Sequence, residues 1–112
     1  MRRRLVAATA PLVVLLTGCA PAGGPAAGPP AAVVEIRDLQ FTPATVTVHA
    51  GEVVEWRFDD DGLYHHVQAD DGAFDSEIVG EGVFDVEFDE PGTYDYACSI
   101  HPYMTGSVVV TD

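Results

Sequence analysis

A thiol, an imidazole and a thioether fall within seven consecutive residues near the end of this chain. Cys98, His101 and Met104 follow one another at three-residue steps in the stretch CSIHPYM. Thiolate and thioether are soft metal ligands, imidazole is intermediate and no carboxylate lies among them, so copper is favoured over calcium, magnesium or manganese. Zinc stays possible, although Met is a poor fourth ligand for it. The stretch predicts a copper site in a loop that curls the three side chains around one point.

A second His is needed if the site is of the blue-copper type, in which a Cys and two His form a trigonal plane with a long axial Met. The candidates are His49, His65 and His66. His49 has the opposite parity to the valines before it and is predicted to face solvent. His65 shares parity with apolar Val67, which places His65 on the core side and His66 outside. Alternation therefore favours His65 as the ligand, with His66 as the alternative if the chain bends after Gly62.

The first 19 residues have the anatomy of a signal peptide. Three Arg precede an apolar run, and small residues lead to Cys19. The run is too short and too interrupted by Pro11 for a membrane-spanning helix, which needs about 20 apolar residues. The stretch LTGC resembles the lipobox of bacterial lipoproteins, in which the Cys is diacylated and becomes the mature N-terminus. We predict an extracytoplasmic protein anchored to the bacterial cell membrane through lipid on Cys19, with plain secretion as the alternative.

Residues 20–32 separate this segment from the rest of the chain. They are Ala, Pro and Gly only, a composition that cannot form a core and indicates a linker. The folded domain is then predicted over residues 33–112. If Cys19 carries lipid, Cys98 is the only thiol left, and its alternatives to metal binding are a buried apolar role or an intermolecular disulfide.

The predicted domain has the pattern of short strands. Apolar residues alternate with polar ones over residues 45–48, 54–58 and 84–88, and Gly-containing turns separate such runs. Outside the signal peptide, no window of 11 residues shows helical periodicity. The pattern predicts an all-β fold, an antiparallel Greek-key β-sandwich.

Charge limits the class of partner. The 112 residues include 18 Asp and Glu against 5 Arg and Lys, a net charge of −13. Removal of the signal peptide takes three of the Arg and leaves two against 18 acids, a net charge of −16 with His neutral. A polyanion of this kind is not expected to bind nucleic acid. The charge favours solubility, and attraction of a basic partner is the alternative interpretation.

Three stretches resemble the cupredoxins, specifically their amicyanin and plastocyanin branch. Residues 94–110, YDYACSIHPYMTGSVVV, are similar to the copper-binding end of these proteins and have the short Cys-x-x-His-x-x-Met spacing of amicyanin. Residues 63–67 resemble the segment that carries the first His ligand, and residues 41–56 resemble the early strands. The resemblance implies one type 1 copper ion with four ligands, which are His65, Cys98, His101 and Met104.

The chain departs from the family pattern beside two of these ligands. His66 stands where the family usually has Asn, whose side chain helps tie the two ligand loops together. Tyr64 and Ile100 stand where Pro is common. The resemblance leaves the ligand set intact and puts the rigidity of the loops in question.

Together with the predicted lipid anchor, the resemblance implies a membrane-tethered electron carrier that cycles between Cu(I) and Cu(II) and turns over no substrate. His101 is then the electron port at the surface, with Pro102 and Tyr103 around it. The expected partners are redox proteins, membrane-associated or extracytoplasmic, met by a monomer. Two alternatives are a copper-binding module that buffers or delivers metal without redox work, and a structural sandwich without metal. Reversible reduction would distinguish the carrier from the copper-binding module. Visible colour would distinguish it from the structural sandwich without metal.

Overall fold

The computed structural model of the chain describes residues 29–112, which form nine β-strands. The predicted signal peptide, Cys19 and the linker up to residue 28 lie outside the described residues. The strands are β1 (Ala32–Arg37), β2 (Gln40–Thr42), β3 (Thr45–His49), β4 (Glu52–Phe58), β5 (His65–Ala69), β6 (Asp75–Val79), β7 (Gly82–Phe88), β8 (Gly92–Cys98) and β9 (His101–Thr111). Over the described range, no helix is long and apolar enough to cross a membrane.

The strands are arranged in two sheets, of order β2-β1-β4-β7 and β3-β9-β8-β5-β6. This confirms the predicted all-β sandwich. Most neighbouring strands pair antiparallel, whereas β1 pairs with β4 and β3 pairs with β9 in parallel, which makes both sheets mixed. Period-two alternation marks one buried face in either case, so it could not distinguish the two kinds of pairing.

The core lies between the inward rows of the two sheets. In β4 the alternating residues Val54, Trp56 and Phe58 are buried, as their spacing predicts. The Trp56 ring meets the Tyr96 ring of the opposite sheet edge-on, with centroids 5.4 Å apart. Such aromatic pairs add about 0.5–1.5 kcal/mol to the free energy of burial. They fix the spacing of the sheets beneath the strand ends that carry the candidate ligands.

The first strand of the described range is hydrogen-bonded to its neighbours from its start. Strand β1 begins at Ala32, and the Ala31 backbone N–H donates to the Val53 carbonyl at 2.8 Å. Two residues, Asp38 and Leu39, close the hairpin between β1 and β2. Both have positive φ, 52° and 57°, the conformation that a two-residue hairpin turn requires. Since neither residue is Gly, this turn needs support from elsewhere in the fold.

Candidate metal centre

Three potential ligand atoms meet at one end of the sandwich. They belong to His65, Cys98 and His101, and they lie within 4.8 Å of one another. Cys98 Sγ is 4.0 Å from His65 Nδ1 and 3.5 Å from His101 Nδ1. His65 and Cys98 are fully buried, whereas His101 is half-buried. The structure therefore brings together three of the four predicted ligands.

Strand ends position these donors. His65 is the first residue of β5, Cys98 is the last of β8 and His101 is the first of β9. The sequence predicts a loop from Cys98 to Met104, but only Ser99 and Ile100 lie between the two strands. The regular pairing of β8 with β9 is interrupted between Ala97 and Cys98. This register shift allows Cys98 to pair with His101. The predicted convergence is thus produced by a tight turn with a ladder irregularity.

Met104 lies within β9 and is 2% exposed. It shares parity with Val108 and Val110, which also face the core. Its thioether is thus directed inward, three residues after His101. Its role as the fourth ligand stays a prediction.

The spacing of the donors fits a small soft cation. Bonds of about 2.0 to 2.3 Å arranged near 120° place donor atoms roughly 3.5 to 4 Å apart. The two Sγ–Nδ1 distances of 4.0 and 3.5 Å match this spacing. One thiolate with two imidazoles is a donor set that copper binds well.

Asp60 fixes the orientation of the His65 ring. Its carboxylate accepts a hydrogen bond from His65 Nε2–H at 2.8 Å. A neutral imidazole that donates through Nε2 keeps a lone pair on Nδ1, the atom that faces Cys98. The Asp60 carboxylate also accepts the backbone N–H groups of Leu39 and Asp38, each at 3.1 Å. The hydrogen bond from His65, followed by those from the two N–H groups, lowers the pKa of Asp60 below its ordinary value.

His66 is buried, with 7% exposure, so the prediction that it lies outside is wrong. As alternation predicts, the His66 side chain is directed away from the face of His65. It is nevertheless buried, because Asp75 and Ser99 cover it. Its Nε2 lies 2.5 Å from Asp75 Oδ1, and its Nδ1 lies 2.6 Å from Ser99 Oγ. The hydrogen bond from His66 lowers the pKa of Asp75, with the Glu77 N–H acting in the same direction.

His66 also reaches the candidate metal centre through its backbone. Its N–H donates to Cys98 Sγ, with 3.3 Å between nitrogen and sulfur. The ring takes over the tie between the two ligand segments that the resemblance assigns to Asn. The alternation of residues in β5 could not reveal this role of His66, because it does not show whether a neighbouring strand or turn covers the side chain. The departure from the family pattern at this position was the available indication.

Exposed apolar side chains flank His101 along the chain. Ile100 directly precedes it in the tight turn, and Tyr103, two residues later, is 71% exposed. The rings of His101 and Tyr103 have centroids 6.2 Å apart. The surroundings of His101 are therefore apolar in a protein whose surface is otherwise rich in carboxylates. His49, by contrast, is exposed as predicted and accompanies Thr111 at the end of β9.

Comparison with known proteins gives concordant matches in sequence and in fold. The cupredoxin-like domain family matches residues 8–110. Amicyanin-alpha of Methylorubrum extorquens is 32% identical over 83 residues, which are 69% of this chain and 69% of that protein. Amicyanin of Paracoccus versutus is 33% identical over 86 residues, 71% of this chain and 64% of that protein.

Among solved structures, a purple cupredoxin from Nitrosopumilus maritimus is similar in fold. The TM-score is 0.64 at 27% sequence identity, and the match covers 71% of this chain and 99% of that one. Sequence and fold thus agree on one family.

Proposed function

The chain belongs to the cupredoxin-like family, with one copper ion as its cofactor, and we propose that it is a membrane-tethered electron carrier of the type 1 copper class. The observation that carries the proposal is the convergence of one thiol and two imidazole nitrogens within 4.8 Å. Copper bound there supplies a one-electron Cu(I)/Cu(II) couple. The protein acts as a carrier rather than an enzyme.

In the proposed site, buried ligands hold the copper ion and a partly exposed ligand exchanges the electron. His65 and Cys98 are buried and held by hydrogen bonds: the His65 ring donates to Asp60, and the Cys98 sulfur accepts the His66 N–H. Ligands fixed in this way keep nearly the same positions in both oxidation states, which lowers the rearrangement that accompanies each transfer. Met104 is the proposed fourth ligand and would tune the potential of bound copper.

His101 is the proposed electron port. It is the half-buried member of the three donors, and exposed Ile100 and Tyr103 flank it. An apolar surface there allows a redox partner to approach closely without stripping water from charged groups. The carboxylates elsewhere on the surface orient that approach toward a partner with a basic rim.

The proposed tether consists of lipid on Cys19 and the linker that follows it. At about 3 Å per residue, an extended Pro-rich linker of this length reaches roughly 30 Å. That reach lets a monomer turn His101 toward partners on or near the same membrane. The proposed partners are redox proteins that are membrane-associated or extracytoplasmic.

The visible spectrum of the copper-loaded protein tests the metal centre. Cu(II) bound by the Cys98 thiolate gives intense charge-transfer absorption, so the protein should be blue or green. Cys98→Ser should abolish the colour while the far-UV circular dichroism of the fold remains. A colourless wild-type protein that binds zinc far more tightly than copper would contradict the proposal.

Voltammetry separates the carrier from the alternative, copper buffering or delivery. A carrier gives a reversible one-electron wave, with the same colour after repeated cycles. Loss of copper on each reduction would favour delivery instead. The burial of His65 and Cys98 supports the carrier, because delivery requires ligands that a receiving protein can reach.

A further inference from the structure

Three side chains form a continuous link from the edge of one sheet to the turn between two candidate ligands. Asp75 is the first residue of β6, the edge strand of the five-stranded sheet. Its Oδ1 lies 2.5 Å from His66 Nε2, and His66 Nδ1 lies 2.6 Å from Ser99 Oγ. Ser99 directly follows Cys98, so the link ends beside the thiol.

The direction of each hydrogen bond follows from the chemistry of the groups. A carboxylate only accepts hydrogen bonds, so His66 Nε2 carries the proton that points to Asp75. The neutral imidazole then has an acceptor at Nδ1, and the Ser99 hydroxyl donates to it. Both ring nitrogens are therefore engaged away from Cys98. This arrangement also explains why His65, not its neighbour, presents a ring nitrogen to the sulfur.

The Asp75 carboxylate is held in place by its own strand. Its Oδ1 also accepts the Glu77 N–H at 2.7 Å, and Glu77 has a positive φ of 62°. The ladder between β5 and β6 is irregular between His66 and Gln68. Ser76 Oγ fills the gap by accepting the Val67 N–H at 2.9 Å. Side chains of β6 thus replace the ladder where β5 carries His66.

We propose that Asp75 is a positioning residue for the metal centre, acting through His66 on Ser99 and Cys98. Its carboxylate holds the His66 ring, the ring holds the turn after Cys98, and the His66 N–H stays directed at Cys98 Sγ. The proposal rests on the proposed function only in treating Cys98 as a copper ligand.

The consequence for the metal concerns the sulfur. Hydrogen bonds to a ligating Cys sulfur tune the reduction potential, because they stabilise the more electron-rich thiolate. Loosening the His66 N–H weakens this bond and favours the oxidised state. Removal of the Asp75 carboxylate should therefore lower the reduction potential and shift the charge-transfer band.

The first test uses the metal-free full-length protein. NMR should place the proton of the His66 ring on Nε2, with a hydrogen-bonded Nδ1. In Asp75→Ala the Nδ1 shift should move toward that of an unbonded nitrogen, and exchange of the His66 amide should quicken about tenfold. Asp75→Asn retains a carbonyl acceptor and should restore most of the protection. Asp85→Asn, on the exposed edge strand β7, should change nothing and is the matched control.

The second test uses the copper-loaded protein and a double-mutant cycle. Ser99→Ala cuts the link at its far end, so Asp75→Ala should shift the potential far less in that background than in wild type. Equal shifts in both backgrounds would overturn the proposed link, as would unchanged His66 signals in metal-free Asp75→Ala. Because the NMR test needs no copper, it can fail or succeed whatever the outcome for the proposed function.

Discussion

The two adjacent imidazoles of β5 differ in what their ring nitrogens can do. His65 Nδ1 faces Cys98 Sγ at 4.0 Å, whereas both ring nitrogens of His66 are within hydrogen-bond distance of Asp75 and Ser99. His65→Ala should therefore abolish the charge-transfer absorption of the copper-loaded protein. His66→Ala should keep it, with a displaced band. Spectra with the two outcomes exchanged would show that the register of β5 is wrong.

The Asp60 carboxylate stabilises both the His65 ring and the turn between β1 and β2. It orients the buried His65 ring, and it accepts the N–H groups of the turn at Asp38 and Leu39. Asp60→Ala leaves the buried Nε2–H without a partner, which costs about 1–3 kcal/mol of stability. Loss of such a partner to a metal-bound His typically lowers metal affinity about 10- to 100-fold.

Competition with a copper chelator and urea denaturation measure the two effects of Asp60→Ala. Asp60→Asn keeps a carbonyl acceptor for Nε2–H and should retain most of the affinity. An affinity equal to that of wild type in Asp60→Ala would contradict the role of this carboxylate.

At the end of strand β7, the carboxylates of Glu87 and Asp89 oppose folding at neutral pH. Interaction with Asp89, through a hydrogen bond and charge repulsion, raises the pKa of Glu87 above its ordinary value of 4.5. A raised pKa in the folded state stabilises the fold below the unfolded pKa, and this contribution is lost as the pH rises through the folded value. Above the pKa of Glu87, its carboxylate is repelled by Asp89.

Asp89→Asn should therefore increase the free energy of unfolding at pH 7, by a small amount because both groups are exposed. The gain should vanish at about pH 3, where Glu87 of the wild type is protonated. Urea denaturation at the two pH values measures it. A destabilised Asp89→Asn at pH 7 would contradict the repulsion.

The strands also show which features of the fold the sequence pattern can predict. Alternation identified the buried rows of β4 and the inward direction of His65, because period two reports which face is apolar. It could not report which strands pair in parallel, nor that Asp75 and Ser99 cover His66. Those facts depend on contacts between residues distant in the chain. For the same reason, Asp60 could not be recognised from sequence as the partner of His65.

At the scale of the whole molecule, lipid attachment at Cys19 would decide where the protein is located. If LTGC is a lipobox, the expressed protein should fractionate with membranes and incorporate labelled fatty acid. Cys19→Ala should make it soluble with an unchanged copper spectrum, because the proposed ligands lie far along the chain. Two or more acyl chains give stable anchoring, whereas a single chain gives only marginal binding. Wild-type protein found wholly in the soluble fraction, with an unmodified N-terminus beyond Cys19, would refute the lipoprotein interpretation.

Charge sets how the domain stands relative to such a membrane. Without the signal peptide the chain carries two Arg and 18 acidic residues, a net charge of −16 with His neutral. Anionic headgroups repel this charge within about one Debye length of the surface. If the protein is lipid-anchored, we expect the domain to be held away from the bilayer at the end of its linker, where soluble partners could also reach it.

The parallel pairing of β1 with β4 has a mechanical consequence. Strand β1 follows the linker directly and lies between β2 and β4, and the Ala31 N–H is already bonded to Val53. A pull on the proposed tether runs along β1, across the hydrogen bonds to both neighbours. Such a load shears these bonds together and does not peel them apart one by one. The strand that would take the force is hydrogen-bonded along both of its edges.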